Sequence, residues 1–141
     1  NLLNLARELG VSARCRFVGH QEDVSEWIRA FDIFALPSRW EGFGLVLLEA
    51  GECGVPIVAT DIPPINAIIR NDLDGLLVPV DDHEALGQAI LLLGSKQELS
   101  DRLQESFSIR IESEFSEATM MDSVNSVYSE ILNYSEDSTG I

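Results

Sequence analysis

Lysine is almost missing from this chain. Lys96 is the only one in 141 residues, and 9 basic side chains face 24 acidic ones for a formal charge of −15. A nucleic-acid backbone or an anionic membrane surface calls for clustered Lys and Arg, so both are excluded as main partners. Cysteine is scarce too. Cys15 and Cys53 make neither a disulfide framework nor a CxxC metal knuckle, and both read as reduced, semi-buried thiols in a cytoplasmic protein. No apolar run approaches the roughly 18 residues of a membrane span, and no signal-peptide pattern opens the chain. What is present, 45% hydrophobic and 23% charged residues, fits a globular chain long enough for one domain with a sizeable core. The sequence starts at Asn1, without a methionine and already in a helical pattern (Leu2, Leu3, Leu5, Leu9), and so reads as part of something longer.

Short apolar runs alternate with amphipathic stretches over the first two-thirds. Residues 1–10 read as a helix stopped by Gly10, and Arg14 to Val18 as a strand closed by Gly19. Asp23 to Phe31 reads as a helix with Val24, Trp27, Ile28 and Phe31 at the 3.6-residue period, Trp27 and Phe31 being core residues. Ile33 to Leu36 is a fully apolar strand ended by Pro37. Gly44 to Cys53 is a helix stopped by Gly54, and Ile57 to Thr60 is the next strand. A short helix, Ile65 to Arg70, precedes a fourth strand, Leu76 to Val80, that Pro79 interrupts. Strands apolar on both faces belong to parallel sheets covered by helices. The expected class is α/β: a Rossmann-like parallel sheet of about four strands flanked by helices. After Val80 the texture changes to three helices, His83 to Leu93, Gln97 to Ile109 and Ser116 to Tyr134, with 13 acidic and 3 basic residues. Residues 1–134 read as one domain and 135–141 as a disordered tail.

The chemistry is expected between Pro37 and Ala50. A strand ends at Pro37, a Gly42-Phe43-Gly44 turn follows, and a helix starts near Gly44. In an open α/β sheet, ligands bind beyond the carboxyl ends of the strands. A helix start presents free N–H groups and the positive end of its dipole there, and glycines let a phosphate approach the backbone. Glu41 precedes this cradle. Glu49 lies roughly 7–8 Å along the helix axis beyond it, in the most apolar stretch of the chain. Carboxylates accept paired hydroxyl hydrogen bonds. A ligand with a diol at each end and a diphosphate between is a nucleotide sugar, with Glu49 on the ribose, Glu41 on the hexose and the glycine amides on the phosphates. The same spacing also fits a plain turn followed by a solvent-facing Glu.

The stretch resembles the donor-binding, C-terminal domain of retaining GT-B glycosyltransferases of the family 4, group 1 type. Glu41 and Glu49, with seven residues between them, match that family's E-x7-E motif. The resemblance continues upstream through Phe17-Val18-Gly19-His20 and Ala30 to Ser38, and downstream through Gly54 to Asp61 and Asp74 to Pro79. It covers about residues 1 to 93 in register. It implies a metal-independent transferase that moves a sugar from a nucleotide-diphosphate sugar with retention of configuration and uses no cofactor. By resemblance Glu41 is the catalytic residue. Gly42, Phe43, Gly44, Leu45 and Glu49 bind the donor, and Val18, Gly19 and His20 line the base. It also implies a preceding acceptor-binding domain, absent here, so that this chain alone is inactive. Localisation follows as cytoplasmic, with a peripheral place at the inner membrane face through the longer protein.

Where the family has a Gly-Gly pair and a Glu, this chain has Pro63, Pro64 and Ala67, which stiffens the loop and removes two N–H donors. That departure suits a second reading, a non-catalytic nucleotide-binding or interaction domain; a nucleotide-sugar epimerase of the same fold is a third. Arg39 stands close enough in sequence to offer the cradle a cation, or is a surface arginine. Asp72-Leu73-Asp74 looks like a metal-binding DxD but reads as turn chemistry before Gly75. Asp81-Asp82 reads as the cap of the helix at His83.

Overall fold

Ile57–Thr60 is buried throughout, and it forms the central strand of the sheet. The computed structural model describes residues 2–137. Its helices and strands, in order, are α1 (Leu2–Glu8), α2 (Val24–Ile28), β1 (Phe34–Leu36), α3 (Leu45–Glu52), β2 (Ile57–Thr60), α4 (Ile65–Ile68), β3 (Leu76–Val78), α5 (His83–Ser95), α6 (Gln97–Glu114) and α7 (Glu117–Asp137). The strand order is β1-β2-β3 and both pairings are parallel, with Ala35 opposite Val58 and Ala59 opposite Leu77. Pro37 and Pro79 directly follow β1 and β3, where a residue without an N–H cannot extend a ladder.

Side chains alternate across a strand, so β2 feeds two cores. Ile57 and Ala59 pack with Leu47 and Ala50 of α3, Ile65 of α4 and Phe107 of α6. Val58 joins Leu76, Val78, Ala89, Leu93 and Leu103 in a second cluster. Helices therefore cover both faces, as parallel strands require.

Helix α3 carries its own start and stop. Gly44 is the N-cap at φ +87°, a left-handed conformation that costs glycine nothing. At the other end Gly54 is left-handed at φ +70°. There Gly54 N donates to Gly51 O and Val55 N to Ala50 O, the paired bonds of a Schellman stop. Asp82 caps α5 by accepting from Ala85 N at 2.9 Å, so the expected capping role of the Asp81-Asp82 pair falls to Asp82.

Several expectations need correction. Three strands are found among the described residues, not about four. Residues 12–14 form a 3-10 turn and the chain leaves it extended at Cys15, but no ladder partner lies beside Arg14 to Val18. A strand without a neighbour has nothing to satisfy its N–H and C=O groups except water. Its residues are accordingly exposed, including Phe17, Val18 and Cys15, which is not semi-buried. Helix α2 stops at Ile28, leaving Phe31 exposed rather than in the core; Trp27 is half-buried beneath the guanidinium of Arg16. β3 ends at Val78 and α4 at Ile68, each two residues short of expectation. Helix α6 runs on to Glu114, and α7 to Asp137, so 135–137 are helical; residues 138–141 of the expected tail lie outside the described residues.

Candidate functional site

All three parallel strands point their carboxyl ends at one side of the sheet, and the Glu41 turn sits there. Thr60 closes β2 with its side chain buried, and its Oγ1 donates to Ser38 O (2.5 Å) and weakly to Leu36 O (3.5 Å). Ser38 Oγ in turn donates to Glu41 Oε1 at 2.7 Å. The half-buried Glu41 carboxylate is thus held through one oxygen, and no described residue donates to the other.

The turn that follows is rich in unused donors. Among the described residues no acceptor engages the backbone N–H of Gly42, Phe43, Gly44, Leu45 or Val46, and Leu47 N is the first to bond back, to Gly44 O at 2.9 Å. Five amides in a row at a helix start make a site for an anion by the physics of the helix terminus. Gly44 is buried against Leu47 and Ile68, whereas Gly42 has open space around its Cα and Phe43 and Leu45 are exposed. Glu49 lies in the second turn of α3, half-buried and without a side-chain partner among the described residues.

Two cavities bear on the expected site. One, of about 220 Å³, opens at the carboxyl end of the sheet and is lined by Pro37, Thr60, Val78, Pro79, Asp81 and His83, among others. Val18, Gly19 and His20 line a different cavity of about 270 Å³, walled by Trp27, Ile28, Phe31 and Phe34. Gly42 to Leu45 line neither of these two cavities. The hydrogen bonds of Thr60 to the Ser38 carbonyl and of Ser38 to Glu41 carried no signal in the sequence beyond the i, i+3 spacing of Ser38 and Glu41.

Arg39 and the Asp72-Leu73-Asp74 look-alike lie outside the glycine turn. Arg39 donates from Nε to Asp81 Oδ1 at 2.7 Å, and both side chains are exposed, Asp81 lining the first cavity. Of the DxD look-alike, Asp72 takes a left-handed turn conformation at φ +62°. Asp74 is not a turn residue only: it is buried, and its carboxylate accepts from Arg70 (2.7 and 2.8 Å), Arg110 (2.7 Å) and Ser106 (3.3 Å). Burial pushes the Asp74 carboxyl up, but these hydrogen bonds outweigh it and hold the carboxyl below its usual range. A carboxylate so engaged has no lone pair left for a metal.

Residues 1–107 match the family described as Glycosyl transferases group 1. The lipopolysaccharide core biosynthesis glycosyltransferase LpsE of Rhizobium meliloti is 34% identical over 122 residues, 86% of this chain and 36% of that protein. The mannosyltransferase LpsB of the same organism is 42% identical over 82 residues, 57% of this chain and 23% of that protein. Among solved structures, sucrose-phosphate synthase from Thermosynechococcus elongatus aligns with a TM-score of 0.85 at 26% identity, over 94% of this chain and 34% of that one. Anabaena HepE in complex with UDP aligns with a TM-score of 0.87 at 22% identity, over 92% and 36%, which speaks for the fold. The chain thus spans 23–36% of the length of these two curated relatives. No described helix is long and apolar enough to cross a membrane. With the match covering most of its length, and strand, glycine turn and helix in the family's order, the chain belongs to the glycosyl transferases group 1 family and has a GT-B-type α/β fold.

Proposed function

We propose that this domain binds the nucleotide-diphosphate sugar of a retaining, metal-independent glycosyltransferase. The observation that carries the reading is the run of unengaged amides from Gly42 to Val46 at the start of α3, with Glu41 before it and Glu49 one and a half turns into it. In this reading the amides and the helix dipole receive the diphosphate. Glu49 accepts the ribose hydroxyls, Phe43 and Leu45 flank the sugar and diphosphate, and Val18 to His20 contribute to the base side. Glu41 contacts the transferred sugar. As the bond from the anomeric carbon to the diphosphate oxygen breaks, its electron pair leaves with the diphosphate, whose growing charge the amides stabilise. A new bond to the acceptor oxygen forms on the same face, and the proton of the acceptor hydroxyl passes to the departing diphosphate oxygen. The acceptor is held by a part of the protein outside these residues. This fits relatives about two and a half times as long, and in this reading the 141 residues alone turn over no donor.

Complexes of a neighbouring fold with UDP and UDP-glucose support a nucleotide sugar as the ligand class. The test is twofold. Titration of this chain with UDP, GDP and ADP sugars, followed by backbone amide NMR, should move Gly42, Phe43, Gly44 and Leu45 first. In the full polypeptide that carries it, Glu41→Gln should lower kcat by roughly a hundredfold or more. Unmoved amides at 42–45, or unchanged turnover in Glu41→Gln, would remove the reading. Amides that move in a protein with no turnover at all would favour a non-catalytic nucleotide-binding domain, the reading that Pro63, Pro64 and Ala67 keep open.

A further inference from the structure

We propose that Thr60 and Ser38 form a two-step hydroxyl relay that positions Glu41, so that the end of β2 sets the orientation of the carboxylate facing the sugar. The inference rests on the role given to Glu41 above. Thr60 is buried, with 2% of its surface exposed, at the last position of the central strand. A Thr hydroxyl has one proton, and here its short bond goes to the Ser38 carbonyl, across 22 residues of sequence. β-branching limits Thr60 to few χ1 states, so this donor direction is set by the sheet itself. Ser38 then spends its own proton on Glu41 Oε1, a charge-assisted bond of 2.7 Å. Glu41 has three rotatable bonds and sits in an irregular segment between β1 and α3. Without the relay nothing described in the structure fixes its carboxylate. With it, one oxygen is held and the other is left for a ligand.

A hydrogen bond that merely closes a turn would change stability or donor binding, whereas a positioning bond changes the chemical step. The two are separable in the full polypeptide, with donor kinetics and thermal melting followed in parallel. Ser38→Ala should lower kcat by about tenfold to a hundredfold, the range that loss of alignment at a reacting group brings. The KM for donor should stay within about twofold. Ser38→Thr, which keeps the hydroxyl, should recover most of the rate. Thr60→Val, equal in shape but without a donor, should act in the same direction, and Thr60→Ser should restore activity. The Ser38→Ala/Glu41→Gln double variant should be no slower than Glu41→Gln alone, because residues acting as a unit are not additive.

An unchanged kcat in Ser38→Ala, a loss confined to KM or melting, or additive losses in the double variant would overturn the relay while leaving the role of Glu41 standing. Turnover unaffected by Glu41→Gln would instead remove the reading on which the relay rests. If Ser38→Ala no longer melts cooperatively, the Thr60 pair decides: a kcat lowered in Thr60→Val and restored in Thr60→Ser sustains the relay, and indifference of both overturns it.

Discussion

Asp74 shows what a single residue hides in a sequence. Next to Asp72 and Gly75 it has the spelling of a turn, yet its side chain is fully buried between two guanidiniums that reach it from α6 and from the end of α4. Arg110 also donates to the carbonyls of Ala67 and Ile68, so the cluster ties the Pro63–Arg70 loop region to α6. Nothing in the local pattern announces Arg110, which is 36 residues away. By contrast the turn between β1 and α3 was legible because its geometry is local: a strand end, two small residues and a helix start. For Asp74→Asn we expect a loss of about 3 kcal/mol in urea unfolding at pH 7, the cost of leaving the buried Arg110 guanidinium without its counter-charge. The loss should depend on pH in a defined direction. A carboxyl held below its unfolded value of 3.8 adds stability that is fully present above that value and fades as pH falls through the folded one. The gap between parent and Asp74→Asn should therefore be constant from pH 7 to pH 5 and shrink below 3.8. A gap that widened on acidification would contradict the pairing.

At the scale of elements, what could be read from sequence was whatever an apolar run, a 3.6-residue period or a Gly or Pro breaker decides alone. β1, β2 and α3 lie within a residue or two of expectation because apolar runs, Pro37 and Gly54 bound them. The Arg14–Val18 stretch has strand composition but no ladder partner among the described residues, and strand formation is a property of pairs. Helix α2 ends at Ile28, its one residue in the first core, and Phe31, although in register, lies beyond it and is exposed. The α3–α6 contact was invisible, since it depends on what a residue lacks. A Cβ at Gly51 would meet the ring of Phe107 and the Cδ1 of Ile111, both buried. Gly51→Ala should gain up to about 1 kcal/mol of helix propensity yet lose about 1–3 kcal/mol to overpacking. The net should be a lower melting midpoint, with Phe107→Leu in the same chain restoring part of it. A stabilised Gly51→Ala would mean that α3 and α6 are not packed at Gly51 as described.

The whole molecule is governed by charge that no single element reveals. Against a formal charge of −15, three of the nine basic residues stand in ion pairs among the described residues: Arg39 with Asp81, Arg70 with Asp74, and Arg110 with Asp74 and Glu114. Two salt effects then oppose each other. Screening weakens exposed pairs such as Arg39–Asp81, each contributing at most about 1 kcal/mol, and it also relieves repulsion among uncompensated carboxylates. At about 10 mM salt the Debye length is roughly 30 Å, so repulsion sums over the whole domain, and at 0.15 M it is roughly 8 Å. Because the unfolded chain holds the same charge at larger separations, repulsion weighs mainly on the folded state. With 24 acidic against 9 basic groups, relief should win. The melting midpoint at pH 7 should rise by about 3–5 °C from 10 to 150 mM NaCl. Asp74 distinguishes this from a general salt effect. Its carboxylate is out of water, so the stability difference between parent and Asp74→Asn should be nearly the same at both salt concentrations, while both proteins shift upward together. A midpoint that falls with salt would mean that exposed ion pairs, not excess negative charge, dominate the electrostatics of the fold.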